Sequence, residues 1–431
     1  MLRHLRLFLR DERGALTSLG LFLLITFFAL GGLAVDVANA VRVGTELQVA
    51  ADAAAHAALY TRSTADETEA RAAALSIAAS VLPPERHGAA IADADIVFGT
   101  WDAATRSFQP DAGSTAAVSV TTQRQGANGV ATYLLGFAGV TGWDLQRAAV
   151  FETYQPACLR EGFVAEGRVD MQSNNSFHDG FCIHSNDHVE FNQNNSFEAG
   201  VTVSMPDLAT LVIPASGFAK NDGLEEALRE GAIDLRVLRR LPEMIEDLGS
   251  FGSELMPDYI DQAGLVTLSK NKVGASDFTP GRIHRRTCGG GGTLSIEKGS
   301  VLHDIVLVTD CSISFGQGVR LENAVVATTS TDARSIDAGN DFHIGRRDDC
   351  AEGGGAQILT LGGFRAPAKL GLFGGQLIAG GDVSFAAQGD GIEGASIIAG
   401  GEIDGTSNTT MGFCGAGMEG NFEVPFFRLV S

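Results

Sequence analysis

Hydrophobic and polar positions divide the chain into three regimes. From Ala15 to Val35 the sequence ALTSLGLFLLITFFALGGLAV carries no charge, and 21 residues at about 1.5 Å each match a hydrocarbon core of about 30 Å. This predicts a membrane-spanning helix over 15–35. Helical spacing then continues without a breaker through VDVANAVRVGTELQVAADAAAHAALYTR, and a second Ala-rich stretch runs from Thr61 to Pro83-Pro84. Together they predict a helical stalk over 36–84. Beyond it, short apolar runs broken by Gly, Asp and Thr predict a small α+β domain over 85–157, with strands in IVFGTW, AAVSVTT and LQRAAVFETY. Trp101 and Phe108 are its expected core anchors.

After Cys158 the third regime is repetitive. QSNNSFHDG at Gln172 to Gly180 is echoed by NQNNSFEAG at Asn192 to Gly200, and LIAGGDV at Leu377 to Val383 by IIAGGEI at Ile397 to Ile403, both at an offset of 20 residues. DIVLV from Asp304 and NAVVA from Asn323 are offset by 19. Short β-branched strands with Gly, Asn or Asp at turns and such a period predict a parallel β-solenoid over 158–431. Asn174, Asn175, Asn194 and Asn195 would occupy equivalent turns, where Asn tolerates left-handed geometry and can ladder with its copy. An amphipathic stretch with Leu224, Leu228, Leu235, Leu238 and Leu241 on a helical period predicts a helical insertion over about 205–286. The fold class expected is therefore mainly β, with an N-terminal transmembrane helix, an Ala-rich helix, a small α+β domain and the C-terminal solenoid.

Charge and cysteine usage set the surroundings. Arg3, Arg6, Arg10 and Arg13 precede the apolar run and Asp36 follows it, so the positive-inside rule makes 1–14 a cytoplasmic tail and puts the body outside. A cleaved signal peptide is the competing reading, because Ala38-Asn39-Ala40 fits an A-x-A site; the apolar run exceeds the usual h-region of about 7 to 15 residues. A net charge of −21 opposes nucleic acid and anionic lipid headgroups as partners. Six cysteines, Cys158, Cys182, Cys288, Cys311, Cys350 and Cys414, lie past the apolar segment without C-x-x-C spacing, which predicts disulfides. Cys158 with Cys182 and Cys288 with Cys311 are the natural neighbours, though six cysteines allow about 15 connectivities. Ala51, Ala54 and Ala58 leave a smooth helix surface that either a second helix approaches closely or a solvated stalk uses for its helix propensity.

The stretch DERGALTSLGLFLL followed by LAVDVANAVRVGTELQVAADAAAHAAL resembles the N-terminal segment of TadG-like proteins of the Tad (tight adherence, Flp) pilus system. IVFGTWDAATRSFQP, AAVSVTTQRQ and YLLGFAGVTGWDLQRAAVFE extend the similarity to about Asp11 to Glu152. Type IV pilins and TadE-like minor pilins carry a Glu five residues after the processing Gly, whereas Leu19 stands there relative to Gly14, so processing is not implied. Many TadG-like proteins also end in a von Willebrand A domain; the repeats after Cys158 lead instead to the expectation of a different C-terminal part. The resemblance implies a single-pass protein of a bacterial inner membrane with a periplasmic body. Its expected partners are other Tad assembly proteins or minor pilins, its alanine face packs against their helices, and its role is to assemble a pilus for surface adhesion.

Two chemical readings compete with this structural one. His178, Asp179, Cys182, His184, Asp187 and His188 crowd within eleven residues, but on a strand His184 and His188 would stand about 13 Å apart, and no metal or other cofactor is expected. A carbohydrate-active β-helix would use stacked carboxylates, and Asp382 and Glu402 fall one repeat apart, about 5 Å in space. With basic and aromatic sugar-binding residues sparse nearby, and without Walker A, G-x-S-x-G or HExxH sequences, an enzyme is not expected. The alternative function is a surface adhesin or carbohydrate-binding protein.

Overall fold

The computed structural model describes residues 13–405 and 407–431. The predicted tail 1–14 therefore lies outside the described residues, apart from Arg13 and Gly14. The chain forms two compact units, one reaching to Tyr154 and including Pro425–Ser431, the other Gln155–Val424.

In the first unit, α1 (Arg13–Arg62) runs uninterrupted through the predicted membrane boundary at 35. As far as Val37 its large apolar side chains are exposed. From Val43 onward Val43, Leu47, Ala50, Ala51, Ala54, Ala55, Ala58 and Leu59, at three- and four-residue spacing, are buried, so the pattern changes from apolar all round to a single stripe. Next, α2 (Glu67–Val81) opens on Asp66, whose carboxylate accepts the Glu69 N–H at 2.9 Å, and it stops before Pro83, which disfavours helical geometry in the residue it follows. Six strands come after: β1 (Ile96–Asp102), β2 (Ser107–Pro110), β3 (Ala117–Arg124), β4 (Val130–Ala131), β5 (Gly142–Trp143) and β6 (Leu145–Tyr154). An antiparallel sheet forms in the order β2-β1-β3-β6, while β4 and β5 pair separately.

Alternation in β3 buries Val118, Val120 and Thr122, and the Thr122 hydroxyl donates to the Leu47 carbonyl of α1 at 2.9 Å. Trp101 and Phe108 pair across the β1–β2 hairpin but are only half-buried. The anchors are instead Ile96 and Phe98, because β2 is the sheet's edge and nothing covers its neighbour there as fully. The chain's last strand, Phe426–Leu429, pairs antiparallel with β6. Pro425–Ser431 thus leaves the stretch predicted as one domain over 158–431, and it covers backbone groups that an edge strand would leave unpaired.

The second unit is a large parallel sheet, so the expectation of a mainly β protein with a long N-terminal apolar helix holds. The repeats seen in the sequence are its registers. Cys182 pairs with both Gly162 and Thr202, Val189 with Val169 and Phe197 with Phe177, each 20 residues away. Leu377 pairs with Ile397 at the same offset, and Ile305 with Ala324 at 19. Asn174, Asn194 and Asn408 have φ of 64°, 65° and 57°, the left-handed turns for which Asn is suited. Their neighbours form an internal ladder: Asn175 accepts the Thr409 N–H at 3.2 Å, Asn195 accepts the Asn175 N–H at 2.9 Å, and Asn221 accepts the Asn195 N–H at 3.2 Å.

Order in space departs from order in the chain. The first strand of the unit, Gly162–Ala165, lies between Cys182–Ser185 and residues 396–399. Parallel pairing runs onward from there through Thr202–Met205 to Leu228–Glu230. In the other direction it runs back through the C-terminal strands to Leu265–Thr267. The intervening segment carries the helix Arg236–Asp247, packed on Ala356–Thr360 and Phe364–Ala379. The predicted helical insertion over 205–286 is correspondingly narrower. Strands Leu228–Glu230, Leu265–Thr267 and Arg282–Arg286 fall inside it, since Leu228 is recruited to pair with Val203 and cuts the leucine stripe into two short helices.

Replacing Asn195 with Ala leaves the buried Asn175 N–H without its acceptor, for which about 2 kcal/mol is the expected loss. Chemical denaturation of the full chain in detergent checks this, with the exposed Asn192→Ala expected to change stability by no more than about 0.5 kcal/mol.

Candidate functional site: the apolar helix and the alanine face

Ala51, Ala54 and Ala58 are fully buried in one cluster with Ala70, Ala74 and Ala78 of α2 and with Ile96, Phe98, Val118, Val120 and Ala149 of the sheet. Small side chains let α1 and α2 approach closely. The close helix packing expected of the three alanines is therefore made within the chain, and that face is not free to receive a helix from another protein.

The free face of α1 lies nearer its start. Leu16, Leu19, Phe22, Ile25, Phe27, Phe28, Leu30 and Val35 are among the exposed apolar residues of a helix long and apolar enough to cross a membrane. Asp36, which ends the uncharged run, is buried, and its carboxylate accepts the N–H groups of Tyr133, Leu134 and Leu135 at 2.6, 3.0 and 2.6 Å. Within the sequence Asp36 stands out only as a topology marker. The uncharged stretch from Gly126 to Trp143 was the signal that its partner was unusual.

Cysteines pair as Cys158–Cys182, Cys288–Cys311 and Cys350–Cys414, with none free. Beside the first and third lies buried Glu161, which accepts N–H groups from Cys414 and Gly415. Burial pushes its carboxyl above the usual carboxylate range, against the lowering effect of those two donors.

The His-rich stretch is dispersed among structural bonds. Cys182 is in a disulfide, His178 pairs with Glu198 at 2.9 Å and His188 with Asp187 at 3.1 Å. His184 is buried, with its ring nitrogens 2.7 Å from the Ser204 hydroxyl and 3.0 Å from the Asn186 carbonyl. Asp382 and Glu402 do lie one repeat apart, yet Asp382 accepts the Glu402 N–H at 3.0 Å and Glu402 pairs with Arg168 at 3.1 Å. Arg168, which sequence reading did not single out, also bridges Asp170 and Glu190 at 3.3 and 3.2 Å. Burial, and next the Glu190 charge, push the Asp170 carboxyl up. One guanidinium thus bridges three carboxylates, two of which, Asp170 and Glu190, parallel pairing sets side by side.

Comparison with known families follows the same division. Residues 162–415, more than half of the chain, match a family model described as a domain of unknown function (DUF7867). Residues 14–74 match a TadE/G-like Flp pilus-assembly model and residues 53–150 a Tad-like Flp pilus-assembly model. The resemblance read from the N-terminal motifs is met over 14–150. No curated protein and no solved structure matches the chain.

Overpacking the α1–α2 contact with Ala54→Leu should lower the stability of the first unit by about 1–3 kcal/mol, read as earlier proteolysis within residues 36–154; an unchanged cleavage profile would contradict the packing. In the second unit burial holds His184, His284 and His343 below the ordinary histidine pKa. The unfolded chain takes up those protons near pH 6.5 while the folded chain does not. Stability is complete above that pH and falls as the pH drops through it toward the folded values. Thermal unfolding between pH 7.5 and 5.5 checks this, and His184→Gln should flatten the slope by at most about 1.4 kcal/mol per pH unit.

Proposed function

The chain belongs to the DUF7867 family, and on that premise we propose that it is a non-enzymatic, membrane-anchored assembly component of a Tad-type pilus in which the DUF7867 part is a β-solenoid. The observation that carries this reading is the continuity of α1: one helix of 50 residues, about 75 Å long, begins with a lipid-length apolar stretch and ends in the core of a domain matched by Flp pilus-assembly families. Such a helix rigidly couples the bilayer to that domain. With arginines before the apolar stretch and Asp36 after it, its N-terminal side faces the cytoplasm and both units face the periplasm. Three disulfides suit that oxidising compartment. Parallel registers of about 20 residues, repeated across the second unit, support a solenoid that presents a long surface to other Tad proteins or minor pilins. The charge of −21 keeps nucleic acid away.

Deleting the coding sequence and imaging the cells by electron microscopy, alongside a surface-adhesion assay, is expected to give cells without pili that no longer adhere. Pili of normal number with adhesion lost would replace this reading with that of an adhesin, and normal pili with normal adhesion would remove the protein from the system altogether.

A further inference from the structure

Between β4 and β5 the chain turns through TYLLGFAGVT, inside a stretch from Gly126 to Trp143 that holds no charged residue. A surface hairpin tip of a water-soluble domain is ordinarily polar. Here Phe137 is 92% exposed and Tyr133 64%, with Leu134 and Val140 exposed beside them. Tyr133, Phe137 and Val140 are left open on this tip, uncovered by any element among the described residues, and exposed apolar side chains gathered in this way mark a surface that meets something apolar.

The tip is fixed against α1. Asp36 accepts three successive N–H groups from it, and Leu134 sits so close to Gly32 that a Cβ there would meet the Leu134 Cβ at 2.8 Å. Leu134 shares an apolar groove with Leu24, Phe27, Phe28, Gly31 and Val35 of the helix. Gly32 and Asp36 lie within about one helical turn, or about 5.4 Å, of the end of the uncharged run at Val35. If α1 crosses the bilayer, that is the depth of the headgroup and upper acyl region. The Asp36 carboxylate, satisfied by three backbone donors, needs no bulk water there, and Tyr133 is the residue type that gathers at this boundary.

We propose that residues 133–140 insert into the outer headgroup and upper acyl region beside α1, a second lipid contact that fixes the first unit's tilt and rotation on the membrane. Lipid is the occupant because the exposed patch continues, at the same depth, the exposed apolar surface of a lipid-length helix. The inference rests on the anchoring of α1 in the membrane.

The test reconstitutes the full chain into phosphatidylcholine vesicles with brominated acyl chains and reads tryptophan quenching. In a W101F/W143F background, F137W reports on the tip and F27W on the helix; should that background not fold, F137W is read as its difference from the native chain. Loss of fluorescence is expected for both reporters, for F137W mainly with bromines close to the headgroup. Quenching of F27W but not of F137W overturns the inference while leaving the anchor intact, whereas quenching of neither overturns the anchor as well. An F137W insensitive both to bromolipid and to aqueous acrylamide also overturns it, because the tip would then be covered by protein.

Discussion

Parallel strands cannot satisfy their backbone groups with a neighbour in the chain, and the second unit is arranged around that constraint. Its first strand, Gly162–Ala165, has one partner 20 residues ahead and another at residues 396–399, at the far end of the same unit. The side-chain devices gather at this closure. Cys158–Cys182 and Cys350–Cys414 flank it, Glu161 clasps the backbone at Cys414 and Gly415, and the Ser396 hydroxyl donates to the Leu159 carbonyl at 2.9 Å. The Asn ladder crosses it through Thr409, and Arg168 draws Glu402 to Asp170 and Glu190. Pairing Phe163 with Ile397, 234 residues on, costs about 2 kcal/mol more in loop-closure entropy than pairing it with Ile183, 20 residues on. The covalent and charge-assisted bonds are concentrated where that cost falls.

A different constraint governs the first unit, because one helix carries two patterns. Up to Val37 α1 has large apolar residues on every side, and from Val43 it has an apolar stripe backed by polar residues. Alanine makes the second part work, since α2 can lie against Ala51, Ala54 and Ala58 only if neither helix carries bulk there. Asp36 stands at the changeover and binds a segment almost a hundred residues on. A domain so joined to the apolar helix follows that helix's orientation instead of pivoting on a linker.

Local pattern was legible where one interaction type dominates. The uncharged run of 15–35 demands a lipid-length helix, the NNSF and AGG repeats demand a parallel register of 20, and neighbouring cysteines pair as expected for Cys158–Cys182 and Cys288–Cys311. Less legible were features decided by what a segment packs against. Leu228 was read on a helical stripe, yet pairing with Val203 outweighs its helical period. Trp101 was expected in the core, but its strand's neighbour is an edge. Asp382 and Glu402 stand one repeat apart as the period requires, although only the fold brings Arg168 to Glu402 from 234 residues away.

The apolar helix, the alanine-rich continuation, the β repeats with their Asn turns and the export-compatible cysteine set are legible from residue order alone, because each rests on periodicity or composition within a short window. Long-range packing sets the rest: the alanine face is filled by α2, the final residues return to the first sheet, the first parallel strand pairs with the last ones, and Asp36 holds an uncharged hairpin tip beside the helix. Those outcomes depend on which distant backbone groups find partners, and no local pattern encodes that.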